Sequence, residues 1–101
     1  MMTMNFSMRY FISQQKEFGF KRVVLVQYPS KGIWTMGFLT NEHLEKFNAA
    51  AGRELVSVLI PTVPNPLTGF VIFVPKEEVI SVDVDVKDAI KICISGGVVQ
   101  R

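Results

Sequence analysis

The sequence has few of the residues on which reaction centres and structural metal sites depend. Its 101 residues contain one cysteine, Cys93, and one histidine, His43. A single cysteine excludes an intrachain disulfide, and the two residues do not provide the four ligands of a structural zinc site. A Cys–His nucleophile pair would require them to meet, but Cys93 lies on the apolar side of a predicted helix, where cysteine is usually a core residue. The sequence therefore predicts no catalytic residue, no metal site and no cofactor.

Long apolar runs and blocks of like charge are also missing. No run approaches the ~18 apolar residues of a spanning helix, and the N-terminus lacks the pattern of a signal peptide. The net charge is +2, and basic and acidic residues are interspersed. Since nucleic-acid binders usually carry a clustered basic face, we expect no nucleic-acid partner. The sequence predicts one small domain that is soluble as given.

What the sequence does contain is a set of short, β-branched and aromatic runs separated by glycine and proline. Each run has the length and composition of a strand. Pro29 and Gly32 suit a hairpin turn between the first two runs, with Trp34, Met36 and Phe38 buried together on one face. The five predicted strands are Val23–Tyr28, Ile33–Thr40, Leu55–Ile60, Phe70–Val74 and Val79–Asp85.

Helical spacing occurs in three other segments. Met8–Phe18 has apolar residues three and four apart, and Val86–Ser95 has a full apolar stripe closed by two glycines. Asn41–Gly52 is either a short helix capped by Asn41 or a mobile loop. We therefore predict an N-terminal tail and helix over residues 1–19 and one β-rich domain over 20–101. The fold class is α+β, with about five mostly antiparallel strands as a curled sheet or a small barrel.

Three segments carry a family resemblance: VVLVQYPSKGIWTMGF (23–38), PTVPNPLTGF (61–70) and DAIKICISGGVV (88–99). In order and spacing they resemble domain-of-unknown-function family five-hundred-and-two, which includes the CONTINUOUS VASCULAR RING and LIKE-COV membrane proteins. The resemblance runs from about Phe20 to Val99. It implies membership of a family with no established enzymatic activity.

The resemblance also implies a membrane context. Family members have two N-terminal spanning helices followed by a soluble β-rich region, and the plant members are tied to vascular patterning and the secretory membrane system. This chain resembles the soluble region alone, either cut by design or encoded short. Membrane association is therefore expected only through spanning helices that this chain does not contain.

The proline-rich loop between the third and fourth strands is the best candidate interaction site. Its stiff backbone presents a surface at low entropic cost, although the same prolines and glycine would also build a difficult corner. Elsewhere, Asp83 and Asp85 with Glu77 and Glu78 are interpreted as an exposed strand face and a helix start rather than an acid–base pair. The candidate loop residues are Thr62, Pro64, Asn65, Pro66, Thr68 and Gly69.

These observations predict a non-enzymatic module that acts through protein–protein contact or assembly. The alternatives are a small-ligand-binding domain or enzyme that uses the 61–69 loop as a pocket wall, and a purely structural domain within an oligomer. We expect self-association, either through open strand edges or through the predicted N-terminal helix with Phe11 and Phe18.

Overall fold

The elements follow the predicted order closely in the computed structural model, which describes residues 20–63, 65 and 68–98. The predicted helix Met8–Phe18, with Phe11 and Phe18, lies outside the described residues. The observed elements are β1 (Arg22–Gln27), β2 (Trp34–Asn41), α1 (Glu45–Ala51), β3 (Leu55–Pro61), β4 (Gly69–Pro75), a 3-10 turn (Lys76–Glu78), β5 (Ile80–Ser81) and α2 (Val86–Ile94).

The five strands form one sheet in the order β4-β3-β2-β1-β5, and every pairing is antiparallel. This confirms the α+β class with an antiparallel sheet. Of the two architectures that the sequence left open, the structure has the curled sheet, because β4 and β5 do not pair and the sheet stays unclosed. Among the described strands, two edges therefore remain, one on β4 and one on β5.

The first hairpin forms as predicted. Val23 lies opposite Phe38 and Gln27 opposite Trp34, and the Tyr28 N–H donates to the Ile33 carbonyl at 3.0 Å. Phe38 is buried and Met36 half-buried, but Trp34 is 48% exposed. The expected burial of Trp34 was wrong. The three side chains share one face, but the buried cluster covers that face around Phe38 and does not extend to the hairpin tip.

Apolar side chains on both faces of the sheet are buried. On one face α2 packs against Val23 and Phe38 through Ala89, Ile90 and Cys93. The stripe predicted for Val86–Ser95 is thus confirmed, and the helix ends before Gly96 and Gly97, which both have positive φ. The other face holds a second cluster, consisting of Val24, Val26, Leu39, Val56, Val58 and Ile60.

Curling of the sheet explains how this second cluster is buried. Tyr28 directly follows β1 and Phe70 belongs to β4, three strand spacings away, which would be roughly 14 Å in a flat sheet. Their ring centroids are 5.5 Å apart. The absence of a side chain at Gly37 permits the curl, since a Cβ there would overlap Cγ1 of Val58. The sheet therefore covers its own concave face.

Two boundaries differ from the predictions. Asn41 is the last residue of β2 and not a helix cap; its side-chain oxygen accepts the His43 N–H at 2.8 Å, and α1 begins at Glu45. The strand predicted over Val79–Asp85 is only Ile80–Ser81. Val82 and Val84 still pack against the α2 cluster, but from an irregular segment in which the Val84 N–H donates to the Val82 carbonyl.

Candidate functional site

In the described part of the loop between β3 and β4, the polar groups of Thr62 and Thr68 are hydrogen-bonded within the loop. The Thr62 N–H donates to the Thr68 carbonyl at 2.9 Å, and the Thr68 N–H donates to the Asn65 carbonyl at 3.1 Å. The two threonine hydroxyls also contact each other, and the Thr68 hydroxyl donates to the Asn65 carbonyl. Gly69 closes the loop with φ +151° beside Ile60. These contacts are what a difficult corner requires.

An interaction role for this loop remains a prediction. Pro64 and Pro66 lie outside the described residues. Of the predicted site residues, the structure brings together Thr62, Asn65, Thr68 and Gly69 at one end of the sheet. Their hydrogen bonds hold the loop closed, so Thr62 and Thr68 have little capacity left for a polar ligand.

The outer edge of β4 offers unpaired backbone groups within the described sheet. In an antiparallel ladder, residues that exchange hydrogen bonds with the neighbouring strand alternate with residues that do not. The bonds from Thr62 to Thr68 and from Lys76 to Glu54 bracket the β3–β4 ladder at positions of the same parity. Phe70, Ile72 and Val74 therefore face β3 with their backbone groups. The N–H groups of Val71 and Phe73 point to the open edge.

The side chains of β4 make this edge apolar. The strand GFVIFVP has no charged residue, and Phe70, Val71 and Phe73 are each about half exposed. Phe73 stacks on Phe47 of α1 with ring centroids 4.9 Å apart, and Phe47 is itself exposed. Natural edge strands are usually protected by charges, bulges or a covering element. Within β4, only the last residue, Pro75, protects the edge in this way, because it lacks an N–H.

A groove of about 600 Å³ lies at the opposite end of the molecule. It runs between the start of β1 and the segment that leads into α2, and side chains of both charge signs line it. Arg22 donates to the Ser81 hydroxyl at 2.9 Å and lies 3.6 Å from Glu42. Asp85 occupies the N-cap position of α2, as expected, but its side chain makes no capping hydrogen bond. The charged lining residues are Lys21, Arg22, Asp83, Asp85 and Lys87.

Ion pairs join the segment just before β3 to the turn after β4 at the same charged end. Arg53 lies 2.6 Å from Glu77, and Lys76 lies 3.6 Å from Glu54. A hydrogen bond from its own backbone N–H, followed by the hydrogen bond from Arg53, lowers the pKa of the Glu77 carboxyl. Because these groups are exposed, each pair contributes little stability.

Cys93 and His43 occupy different environments. Cys93 lies on the buried side of α2, and burial raises the pKa of its thiol from 9.0 to about 11. The thiol is thus protonated near neutral pH, whereas a nucleophilic cysteine needs a depressed pKa. His43 is exposed beyond β2, at the charged end. This arrangement gives Cys93 the character of a packing residue.

We expect replacement of Cys93 by alanine to lower the free energy of unfolding by about 1–2 kcal/mol through lost packing. The thiol of the native protein should react slowly with a thiol reagent at neutral pH. Its folded-state pKa lies above the unfolded value of 9.0, so its contribution to stability is present below pH 9 and declines as the pH rises towards 11. Urea unfolding across this range tests the sign, and Cys93→Ala should lack that decline. Rapid native-state labelling would show that the thiol is exposed.

Two further properties concern the described residues only. Among them, no three His, Cys, Asp or Glu side chains are grouped so that they could hold a metal ion. Neither α1 nor α2 has the length and apolar composition that a bilayer-crossing helix needs, and no other helix of that kind occurs in this part of the chain.

The sequence analysis did not single out the β4 edge as the exposed edge. The predicted strand Phe70–Val74 carries no charge, but this did not distinguish it, since Ile33–Thr40 and Leu55–Ile60 carry none either. What the sequence could not supply is the strand order, which places β4 at the border and β3 inside. Phe47 of α1 is exposed and pairs with Phe73 at that border.

Comparisons with known proteins agree with the resemblance in the sequence. A family model described as "Protein of unknown function (DUF502)" matches residues 3–68. This match begins before the quoted segments and ends before the last of them. Protein LIKE COV 3 of Arabidopsis thaliana is 32% identical over 84 residues, which cover 82% of this chain and 30% of that relative. The chain thus spans less than a third of the relative's length. No solved structure matches.

Proposed function

The chain belongs to the DUF502 family of proteins of unknown function, and on that premise we propose that it is a non-enzymatic module of a membrane-associated protein that acts by self-assembly. The observation that carries the proposal is the apolar open edge of β4. The membrane context is the one expected from the family resemblance.

A second copy of the chain fits this edge. Around a two-fold axis at Ile72, an antiparallel β4 pair would set Val71 of one copy opposite Phe73 of the other, and each outward N–H would find a carbonyl. Because β4 carries no charge, no like charges would lie opposite each other. The edge of β5 suits pairing less well, since β5 is two residues long and is followed closely by Asp83 and Asp85.

The exposed apolar area of the β4 edge determines how strongly two copies are expected to associate. A buried phenylalanine covers roughly 150–250 Å², so the exposed halves of Phe47, Phe70 and Phe73 would add roughly 300 Å² per copy. A stable interface buries roughly 800 Å² per partner. The isolated chain is therefore expected to associate weakly and reversibly.

Sedimentation equilibrium from low micromolar to near-millimolar concentration tests the proposal. The wild-type chain should shift from monomer towards dimer, and Val71→Lys should remain monomeric because it places a charge on the pairing edge. Ile80→Lys is the matched control. Ile80 is 50% exposed, like Val71 at 51%, but lies on the other edge.

Each outcome either supports or rejects association through the β4 edge. Loss of association in Val71→Lys alone supports β4, provided that circular dichroism shows an intact fold. Loss in Ile80→Lys alone would place the contact on β5 and reject the β4 proposal. A strictly monomeric wild-type chain would reject self-assembly altogether, and association unchanged in both variants would move it to another surface.

The small-ligand alternative has less support. It requires the 61–69 loop to present polar groups to a pocket, but the hydroxyls of Thr62 and Thr68 are engaged within the loop. The groove of about 600 Å³ lies at the other end of the sheet and is lined by β1 and the start of α2.

A further inference from the structure

Three segments converge at one end of the sheet. β1 and β3 run in the same direction, so the β1–β2 turn and the β3–β4 loop lie side by side. The C-terminal end of α2 reaches the same place, because a Cβ on Gly96 would lie 4.0 Å from Cγ1 of Val63. We call the exposed large apolar residues of these segments the apolar end; they are Ile33, Trp34, Val63, Phe70 and Val98.

The apolar end differs from the rest of the surface in its charge. The turn 28–34 and the loop 62–68 contain no Asp or Glu, and Lys31 is their single charged residue. The described acidic residues all lie in segments at the opposite end, between residues 42–54 and 77–88; Glu17 is outside the described residues. An apolar, aromatic and weakly basic surface complements an anionic surface, because the turn and the loop carry no negative charge that would be repelled.

Several polar groups of this end are hydrogen-bonded internally, which favours its burial away from water. In the hairpin turn, the Ile33 N–H donates to the Ser30 carbonyl at 3.2 Å, and the Gly32 N–H donates to the Gln27 side chain at 2.7 Å. The hydroxyls and N–H groups of Thr62 and Thr68 bond within their loop. Moving an unpaired polar group out of water is costly, so internal pairing lowers the cost of burying these two loops in lipid.

These observations distinguish a lipid surface from a protein partner. A protein interface usually gains specificity from hydrogen bonds across it, on average about one per 100–200 Å². In the apolar end, the hydrogen bonds described for Gly32, Ile33, Thr62 and Thr68 instead run within the hairpin or the loop. Tryptophan and tyrosine are the residues that favour the boundary between lipid headgroups and acyl chains. Trp34 is half exposed at this end, and Tyr28 is partly buried against Phe70.

We propose that the apolar end docks on an anionic lipid surface. Ile33 and Trp34 enter the boundary between headgroups and acyl chains, and Lys31 lies against the lipid phosphates and carboxylates. This contact goes beyond the self-assembly proposed for β4, since it uses the loops of the apolar end and not the strand edge. Phe70 is the one residue common to the two surfaces.

The single tryptophan of the chain makes the proposal directly measurable. The probe is a vesicle of equal parts phosphatidylcholine and phosphatidylserine, compared with phosphatidylcholine alone. Trp34 emission should shift to the blue on the anionic vesicles and be quenched by brominated acyl chains. Work at low micromolar protein, where we expect the chain to be monomeric, separates this result from assembly.

Matched variants test the residues. Ile33→Ser retains the tryptophan and should lower vesicle binding about tenfold. Lys31→Gln should lower binding to anionic vesicles about fivefold. Ile80→Ser removes an equally exposed apolar side chain from a different edge and should leave binding unchanged.

Several results would overturn the proposal. They are an emission spectrum unaffected by anionic vesicles, equal losses in Ile33→Ser and Ile80→Ser, or a blue shift that grows with protein concentration in the absence of vesicles. The last would assign the apolar end to a contact between copies.

Discussion

Replacing Phe38 by alanine is expected to lower the free energy of unfolding by about 3–5 kcal/mol. Phe38 is fully buried, lies opposite Val23 and stacks on Phe20 with ring centroids 4.8 Å apart. It stands in the cluster that joins α2 to the sheet. Its removal would leave a cavity that the antiparallel strands on either side cannot close without moving.

Trp34 provides the control for Phe38. It occupies the same face of the same strand, four residues earlier, but is half exposed. Trp34→Ala should cost less than about 1 kcal/mol, as do most surface substitutions. Urea unfolding followed by circular dichroism measures both variants. Similar losses would mean that burial along β2 is misassigned.

Replacing Gly69 by alanine should lower the free energy of unfolding by about 2–4 kcal/mol. Gly69 has a φ of +151°, and a Cβ there would overlap the Ile60 carbonyl oxygen. The obstacle is backbone of the neighbouring strand, so relief requires the start of β4 to move away from β3. Urea unfolding measures the loss.

Gly52 is the matched control for Gly69. It also has positive φ, at +70°, but no atom lies within 4 Å of the position a Cβ would take. Gly52→Ala should therefore cost only the left-handed conformation itself, about 1 kcal/mol. Equal losses in the two variants would show that conformation, and not the overlap with Ile60, determines the role of Gly69.

The sequence was informative wherever the structure is set by neighbours along the chain. The hairpin of β1 and β2 and the apolar stripe of α2 were both predicted, because their signals are local: a turn between two strand-forming runs, and residues repeating every three to four positions. Gly32, Gly96 and Gly97 have positive φ in the turn and helix end where they were expected.

The predictions were wrong where the structure depends on contacts between segments that are distant in the sequence. Alternation assigned Trp34 to the correct face but did not give the reach of α2 along it. Alternation also predicted a seven-residue strand from Val79, whereas β1 pairs with only two residues there and the later valines pack without strand geometry. Asn41 was expected to cap a short helix or to lie in a mobile loop, since no local signal shows that pairing with β3 extends β2. In that pairing Asn41 lies opposite Ser57 after an irregularity in register.

The candidate site shows the same division. Composition identified the 61–69 loop and its glycine, but the exposure of β4 depends on strand order, and the closeness of Tyr28 and Phe70 depends on the curl. Neither property has a local signal. The two proposed surfaces therefore became visible only in three dimensions.

The outward direction of the Val71 and Phe73 N–H groups has one geometrical consequence. Antiparallel pairing through this edge inverts one copy relative to the other. The two apolar ends of a pair, each with its Trp34, therefore face away from each other. Such a pair cannot rest both ends on one flat bilayer. It would instead present a lipid-binding tip at each pole, which is the geometry of a bridge between two opposed membranes.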